Sequence, residues 1–231
     1  MNPEATSNPC LRCGTCCEKG GPSLHLADRS LVDDGQIPAR CLITLRRGEL
    51  VRDNVKGTLA PLSEEIIKIK GLAGRWTCRF YDQASRGCRI YDHRPLECRA
   101  LNCQDTRRIE EIYQATRLTR KDLLSDMNGL WELIEDHEQR CSYAGLRARV
   151  EAGTHEGRLI QEEAILEILR LDVHVRQLAV EKGQLDSRML DFIFGRPLAD
   201  TIQQFAIGLV KSKGQFALAL DPAFSRKQKV G

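Results

Sequence analysis

The sequence predicts an α+β protein: a small cysteine-rich domain carrying a β-hairpin, followed by a mainly α-helical domain. Three observations predict it. Nine of the ten cysteines fall between Cys10 and Cys103, and the stretch 104–231 contains only Cys141. The segment "RWTCRFYDQASRGCRIYDHRP" alternates and is rich in β-branched and aromatic residues, as strands are. From about residue 105 onward, apolar residues recur at three- and four-residue steps, as on one face of a helix. Together they give a cysteine domain over 1–105, a helical domain over 106–220 and a polar tail over 221–231.

The first element is "CLRCGTCCEKGG", with four cysteines in eight positions. Gly14, Gly20, Gly21 and Pro22 predict tight turns here, a loop knuckle rather than a regular helix. A short helix near 28–33 and a strand near 41–46, which takes in Cys41, come next. "EEIIKIKG" reads as a strand. In the following segment "QASRG" is the loop of a hairpin whose arms present Cys78 and Cys88. In "HRPLECRALNC", Pro95 suits the first turn of a helix. Cys98 then lies in that turn and Cys103 just beyond it.

The helical part opens with "DTRRIEEIYQATR". "LTRKDLLSDMNGLWELIEDHEQRC" reads as one helix capped by Thr119 and Asp122, with Leu123, Met127, Leu130, Leu133 and Ile134 on one face. A longer helix covers "RLIQEEAILEILRLDVHVRQLAVEKG" and stops near Gly183. "DSRMLDFIFG" and "RPLADTIQQFAIGLV" read as two shorter helices, broken at Gly195, with Pro197 opening the second. The end "SRKQKVG" reads as a frayed polar tail.

Composition narrows the function. A hydrophobic content of 42% supports an ordinary core, and a formal charge of +3 is too small to indicate a nucleic-acid binder. No run of about 18 apolar residues occurs, so no membrane span is expected. The polar start "MNPEATSNP" lacks the basic and apolar regions of a secretory signal. The expected compartment is the cytoplasm. There, thiol buffers disfavour structural disulfides, and crowded cysteines point to metal.

Two groups share that logic: Cys10, Cys13, Cys16 and Cys17 from the knuckle, and Cys78, Cys88, Cys98 and Cys103 from the hairpin and helix start. CxxC spacing lets two sulfurs converge on one soft cation, and Cys10–Cys13 and Cys13–Cys16 both have it. Adjacent cysteines are expected to project in different directions, so that one of Cys16 and Cys17 serves a second site or a bridge. The first three cysteines match the CxxCxxC opening of a ferredoxin-type site, but Gly20 stands where that motif continues with cysteine. The radical-SAM spacing CxxxCxxC fails at Gly20 as well. The metal-organised domain thus follows from spacing, with an iron–sulfur cluster, zinc and mononuclear iron all open.

"CLRCGTCC" together with "CRFYDQASRGCRIYDHRPLECR" resembles the YkgJ-like CxxCxxCC cysteine-cluster family, described as zinc- or iron-chelating proteins. The resemblance covers about residues 10–103 and includes the C-x-I-Y-x-x-R-P-x-x-C stretch at Cys88, Ile90, Tyr91, Arg94, Pro95 and Cys98. It implies a metal or iron–sulfur site using Cys10, Cys13, Cys16, Cys17, Cys78, Cys88 and Cys98. Cys103 joins the set by proximity. A flagellin lysine N-methylase has a similar cluster, so the resemblance implies that an iron–sulfur centre is among the options, although this chain has no convincing S-adenosylmethionine motif.

Four thiolates leave a zinc ion, or a [4Fe–4S]²⁺ cluster, at −2, so cations are expected nearby. Between residues 75 and 108 there are eight arginines and four acids. Arg79, Arg89, Arg94 and Arg99 are the near ones, and Arg94 is the preferred supporting residue because the "RP" step fixes its direction. Cys41 and Cys141 read as small buried hydrophobes. His93 reads as a surface turn residue, and His25, His137, His155 and His174 show no ligand spacing. "GLAGRW" lacks the context of a dinucleotide loop, and no Ser/His/Asp or Cys/His nucleophile set is present. Three functions fit: a metal- or cluster-binding protein with a protein partner on its helical half, a protein-modifying enzyme using the cluster, or a structural zinc module.

Overall fold

The computed structural model describes residues 12–53, 57–72, 75–103, 105–113, 115–152, 154–155, 158–212 and 215–220. Cys10 and the tail 221–231 lie outside the described residues. The fold mixes helices with small antiparallel two-stranded sheets. The chain divides into two compact units, Met1–Ile43 with Ile66–Leu123, and Thr44–Glu65 with Leu124–Gly231. Among the described residues no helix is long and apolar enough to cross a membrane.

In the first unit the knuckle is a turn followed by a helix, not a loop throughout. Gly14 adopts φ 82, a left-handed conformation that favours glycine. The helix Thr15–Lys19 starts directly after it, closed by Glu18 N donating to Gly14 O at 2.9 Å. The chain then runs beside the strand Ile66–Ile69: Leu24 N donates to Ile67 O and Ile69 N to Pro22 O. That strand alternates in burial, with Ile67 and Ile69 inward. Leu24, Leu42, Ile67 and Leu118 are fully buried and form the apolar centre of this unit.

The hairpin is as expected, with Tyr81–Asp82 antiparallel to Gly87–Cys88 and Tyr81 facing Cys88. Asp82 shapes its loop by accepting from Ala84 N and Ser85 Oγ. Pro95 precedes the helix Leu96–Ala100, and the fully buried Asp28 accepts from Leu96 N at 2.8 Å. Thr119 and Asp122 form the expected reciprocal cap of the helix Arg120–Leu124.

The single helix expected over 118–141 is corrected to two, Arg120–Leu124 and Asn128–Arg140. Met127 sits between them at φ −96, ψ 70, outside the helical region, and is 53% exposed. "SDMNG" supplies Ser, Asp and Asn, whose side chains compete for backbone groups, and these override the apolar periodicity.

In the second unit the helices Asn128–Arg140, Tyr143–Ala152 and Glu162–Glu181 accompany a core that includes Cys141, Tyr143, Leu146, Ile165, Leu198 and Phe205. The long helix ends near Gly183 as expected but begins at Glu162, because Arg158–Leu159 pairs with Thr154–His155 instead. The last expected helix is also corrected. Leu198–Thr201 and a 3-10 turn end at Ala206, whose φ of 61 is left-handed, and Ile207–Ser212 then forms a hairpin with Gln215–Leu220.

Buried charges organise this unit. Asp172, fully buried, accepts from His137 Nε2 at 2.7 Å, Arg176 Nε at 2.9 Å and Leu198 N at 2.9 Å. Arg46, also fully buried, makes two bonds to Glu138 and one to Cys141 O.

Candidate metal centre

The thiols of the first unit are positioned by three elements. The helix Thr15–Lys19 carries Cys16 and Cys17, the hairpin carries Cys78 ahead of its first strand and Cys88 on its second, and the helix Leu96–Ala100 carries Cys98. Two contacts hold the knuckle to the hairpin. Cys78 N donates to Cys17 O at 2.7 Å. The Tyr81 hydroxyl rests against Gly14, where any Cβ would overlap it.

Cys16 and Cys17 do not diverge as expected. Their sulfurs are 3.9 Å apart. Two thiolates on one tetrahedral zinc ion, with Zn–S near 2.3 Å, have sulfurs about 3.8 Å apart. The pair therefore has the spacing of one edge of a tetrathiolate site. A hydrogen bond from Cys17 holds the Cys16 thiol down to about 6. That same bond, with burial and the charge of Cys16, pushes Cys17 far up. The pair accepts one negative charge readily and resists the second.

Burial pushes up the thiols of Cys78 and Cys98, and the charges of neighbouring cysteines add to it: Cys88 and Cys16 act on Cys78, and Cys78, Cys16 and Cys88 on Cys98. Cys16, Cys17, Cys78, Cys88 and Cys98 thus lie within electrostatic reach of one another. A dication removes the repulsion that keeps such a set protonated. Cys13 is exposed, and its sulfur lies 3.5 Å from Thr15 Oγ1. Cys103 is exposed beyond the end of its helix. Among the described residues no cysteine is in a disulfide, and no three His, Cys, Asp or Glu side chains stand at metal-holding distances. The donor chemistry fits a thiophilic ion, and the Cys16 and Cys17 sulfurs have the separation such an ion would need of two of its ligands.

Cys41 and Cys141 are buried, as expected of small hydrophobes. Arg94, the expected supporting residue, stacks on Tyr91 with its guanidinium carbon 3.7 Å from the ring centroid, and its charge favours the Cys16 thiolate. Four further residues at the site had no assigned role in the sequence. Glu97 accepts from Ser23 N at 2.7 Å, His25 Nε2 at 3.3 Å and Arg117 Nη1 at 3.3 Å. Burial alone would raise its carboxyl, but the His25 bond, the charge of Lys68, the Ser23 bond and Arg117 hold it at about 2. Desolvation holds Lys68 below the ordinary lysine range, while Glu97 first, and then Cys98 and Cys78, act to keep it charged. The available signal was a lone lysine inside "IIKI", on the less buried face of the strand.

No curated protein and no solved structure matches the chain. The sequence model of the CxxCxxCC family, described as a "putative zinc- or iron-chelating domain", matches residues 9–117. That range takes in Cys10 and every thiol of the set above, together with Lys68, Glu97 and Arg117. The likeness to the CxxCxxCC family is thus confined to residues 9–117, the cysteine-rich part of the chain.

Proposed function

We propose that this protein chelates a single zinc or iron ion through cysteine thiolates, with Cys16 and Cys17 on one ion and Cys78 and Cys98 completing the shell. The observation that carries this reading is the 3.9 Å separation of the Cys16 and Cys17 sulfurs. It suits two thiolates sharing one ion. A [4Fe–4S] cluster takes one terminal thiolate per iron, which spreads ligand sulfurs farther apart than a tetrahedral edge, so the spacing favours a mononuclear centre over a cubane. Cys13, Cys88 and Cys103 serve as reserve thiols able to pass an ion in or out, and Cys10, outside the described residues, is assigned the same role from its CxxC spacing to Cys13 alone.

The reading puts the protein in the reducing cytoplasm, where such thiols stay available for metal. It treats the ion as an organiser of the cysteine domain and the helical half as the side that meets a protein partner. Val173 and Leu178, exposed on the helix Glu162–Glu181, support the second point.

Oxygen-free purification followed by elemental analysis and absorption spectroscopy tests the reading. One zinc or iron per chain without labile sulfide is the expected result. Iron with stoichiometric sulfide and absorption near 400 nm replaces the mononuclear centre with a cluster. Absence of bound metal, with no uptake of zinc or ferrous iron by the reduced protein, refutes chelation.

A further inference from the structure

Tyr91 opens the 3-10 turn Tyr91–His93, directly ahead of the helix Leu96–Ala100 that carries Cys98. The guanidinium carbon of Arg94 lies 3.7 Å from its ring centroid and that of Arg12 lies 4.1 Å from it. Two planar guanidinium groups that close to one centroid cannot lie side by side without overlap, so they occupy opposite faces of the ring. Arg94 is fixed a second time, its Nε donating to Tyr91 O at 2.9 Å. Its own carbonyl accepts from Arg99 Nη1 at 2.9 Å. Among the described residues neither Arg12 nor Arg94 pairs with a carboxylate.

The stack joins two parts of the chain that carry the thiols. Arg12 directly precedes Cys13 in the knuckle, and Tyr91 belongs to the segment between Cys88 and Cys98. The contact between Cys17 and Cys78 and the seat of Tyr81 on Gly14 tie the knuckle to the start of the hairpin. The Arg12–Tyr91–Arg94 stack ties it to the far side, and among the described residues no carboxylate offsets its two charges.

The geometry points to Tyr91 as a positioning residue of the thiolate centre: its ring, held between Arg12 and Arg94, locks the knuckle that carries Cys13, Cys16 and Cys17 against the Cys88–Cys98 segment. The inference rests on the metal-binding reading above and adds to it a residue that sets the geometry. The π face does the holding, so phenylalanine substitutes for tyrosine and leucine does not.

The test uses the full-length protein, reduced and free of oxygen, with zinc(II) as the probe metal in competition with a chromophoric chelator. Two cation–π contacts at a partly exposed site change an equilibrium by about five- to thirtyfold. Tyr91→Leu is expected to weaken zinc binding about tenfold, and Arg12→Gln about threefold to fivefold through loss of one contact. Tyr91→Phe stays within about twofold of wild type, because the ring face is kept. Arg12 is exposed, so its replacement leaves the fold intact and decides the matter even if Tyr91→Leu does not fold. The inference is overturned if Tyr91→Phe loses as much affinity as Tyr91→Leu, or if Arg12→Gln or Tyr91→Leu binds zinc as tightly as wild type. Wild-type protein that binds no zinc or iron defeats the metal reading instead.

Discussion

Asp172→Ala is expected to destabilise the second unit by about 3 kcal/mol. Asp172 has no exposed surface and accepts three hydrogen bonds, two of them from His137 and Arg176. Its removal leaves the Arg176 guanidinium, 7% exposed, without its carboxylate. Breaking a buried ion pair on one side costs about 3–5 kcal/mol. Arg176 keeps bonds to Phe194 O at 3.1 Å and Gly195 O at 3.0 Å, which puts the loss at the lower end of that range. Leu198 N, which opens the helix Leu198–Thr201, also loses its acceptor. Trp131 lies on the helix Asn128–Arg140 of this unit, so urea unfolding of a Trp76→Phe background followed by tryptophan fluorescence reports on it. With a slope of about 2 kcal/mol per molar urea, the midpoint falls by about 1.5 M. A loss below about 1 kcal/mol refutes the reasoning, since the carbonyl bonds of Arg176 would then be enough to hold a lone cation.

Burial, helped by the charge of Arg46, holds the His137 imidazole below the ordinary histidine range despite its bond to Asp172. The unfolded chain therefore takes up a proton that the folded unit refuses. The stability contributed is complete above about pH 6.5 and is lost as pH falls through it, which urea midpoints at pH 7.5 and 5.5 measure and His137→Gln abolishes. Glu97, held at about 2, also loses its contribution as pH falls, over a lower window and because its charged form is the one the fold favours. Its share is present above about pH 4.3 and disappears toward pH 2, and Glu97→Gln removes about 2 kcal/mol at neutral pH in denaturant titrations. Gly14→Ala places a Cβ at φ 82 against the Tyr81 hydroxyl and weakens zinc binding by at least about tenfold, with Tyr81→Ala restoring only the part due to overlap. Cys98→Ser cuts the metal recovered per chain in elemental analysis, whereas Cys141→Ala leaves it at the wild-type level, because Cys141 sits in the apolar core of the second unit.

Elements set by their own residues were legible in the sequence. Pro95 ahead of a helix, Thr119 with Asp122 as a cap, Gly183 and Gly195 as stops and "QASRG" as a hairpin loop all act through neighbours a few positions away. The misses depend on competition between signals. At Met127 an apolar residue fell in phase with a helical face, and the polar turn formers around it won. At 207–210 an apolar run reads as the end of a helix because its strand partner, in Gln215–Leu220, lies outside the run and no periodicity inside it reveals the pairing. Glu97 could not be assigned because its partners Ser23, His25 and Arg117 are far from it in sequence and converge only in the fold.

The vicinal cysteines follow the same logic in miniature. In an extended segment adjacent side chains point to opposite faces, which keeps neighbouring sulfurs apart. In a helix successive residues turn by about 100°, and two long enough side chains can lean together. The helix Thr15–Lys19 supplies that turn, and Gly14 permits it by taking the left-handed conformation that starts the helix directly after the bend. Every residue needed was visible in "CGTCC", but whether the segment takes a helical turn after Gly14 is settled by the fold and not by the spacing of the cysteines. The reading proposed above needs the buried thiol of Cys78 and the half-buried thiol of Cys98 to complete what the Cys16–Cys17 pair begins.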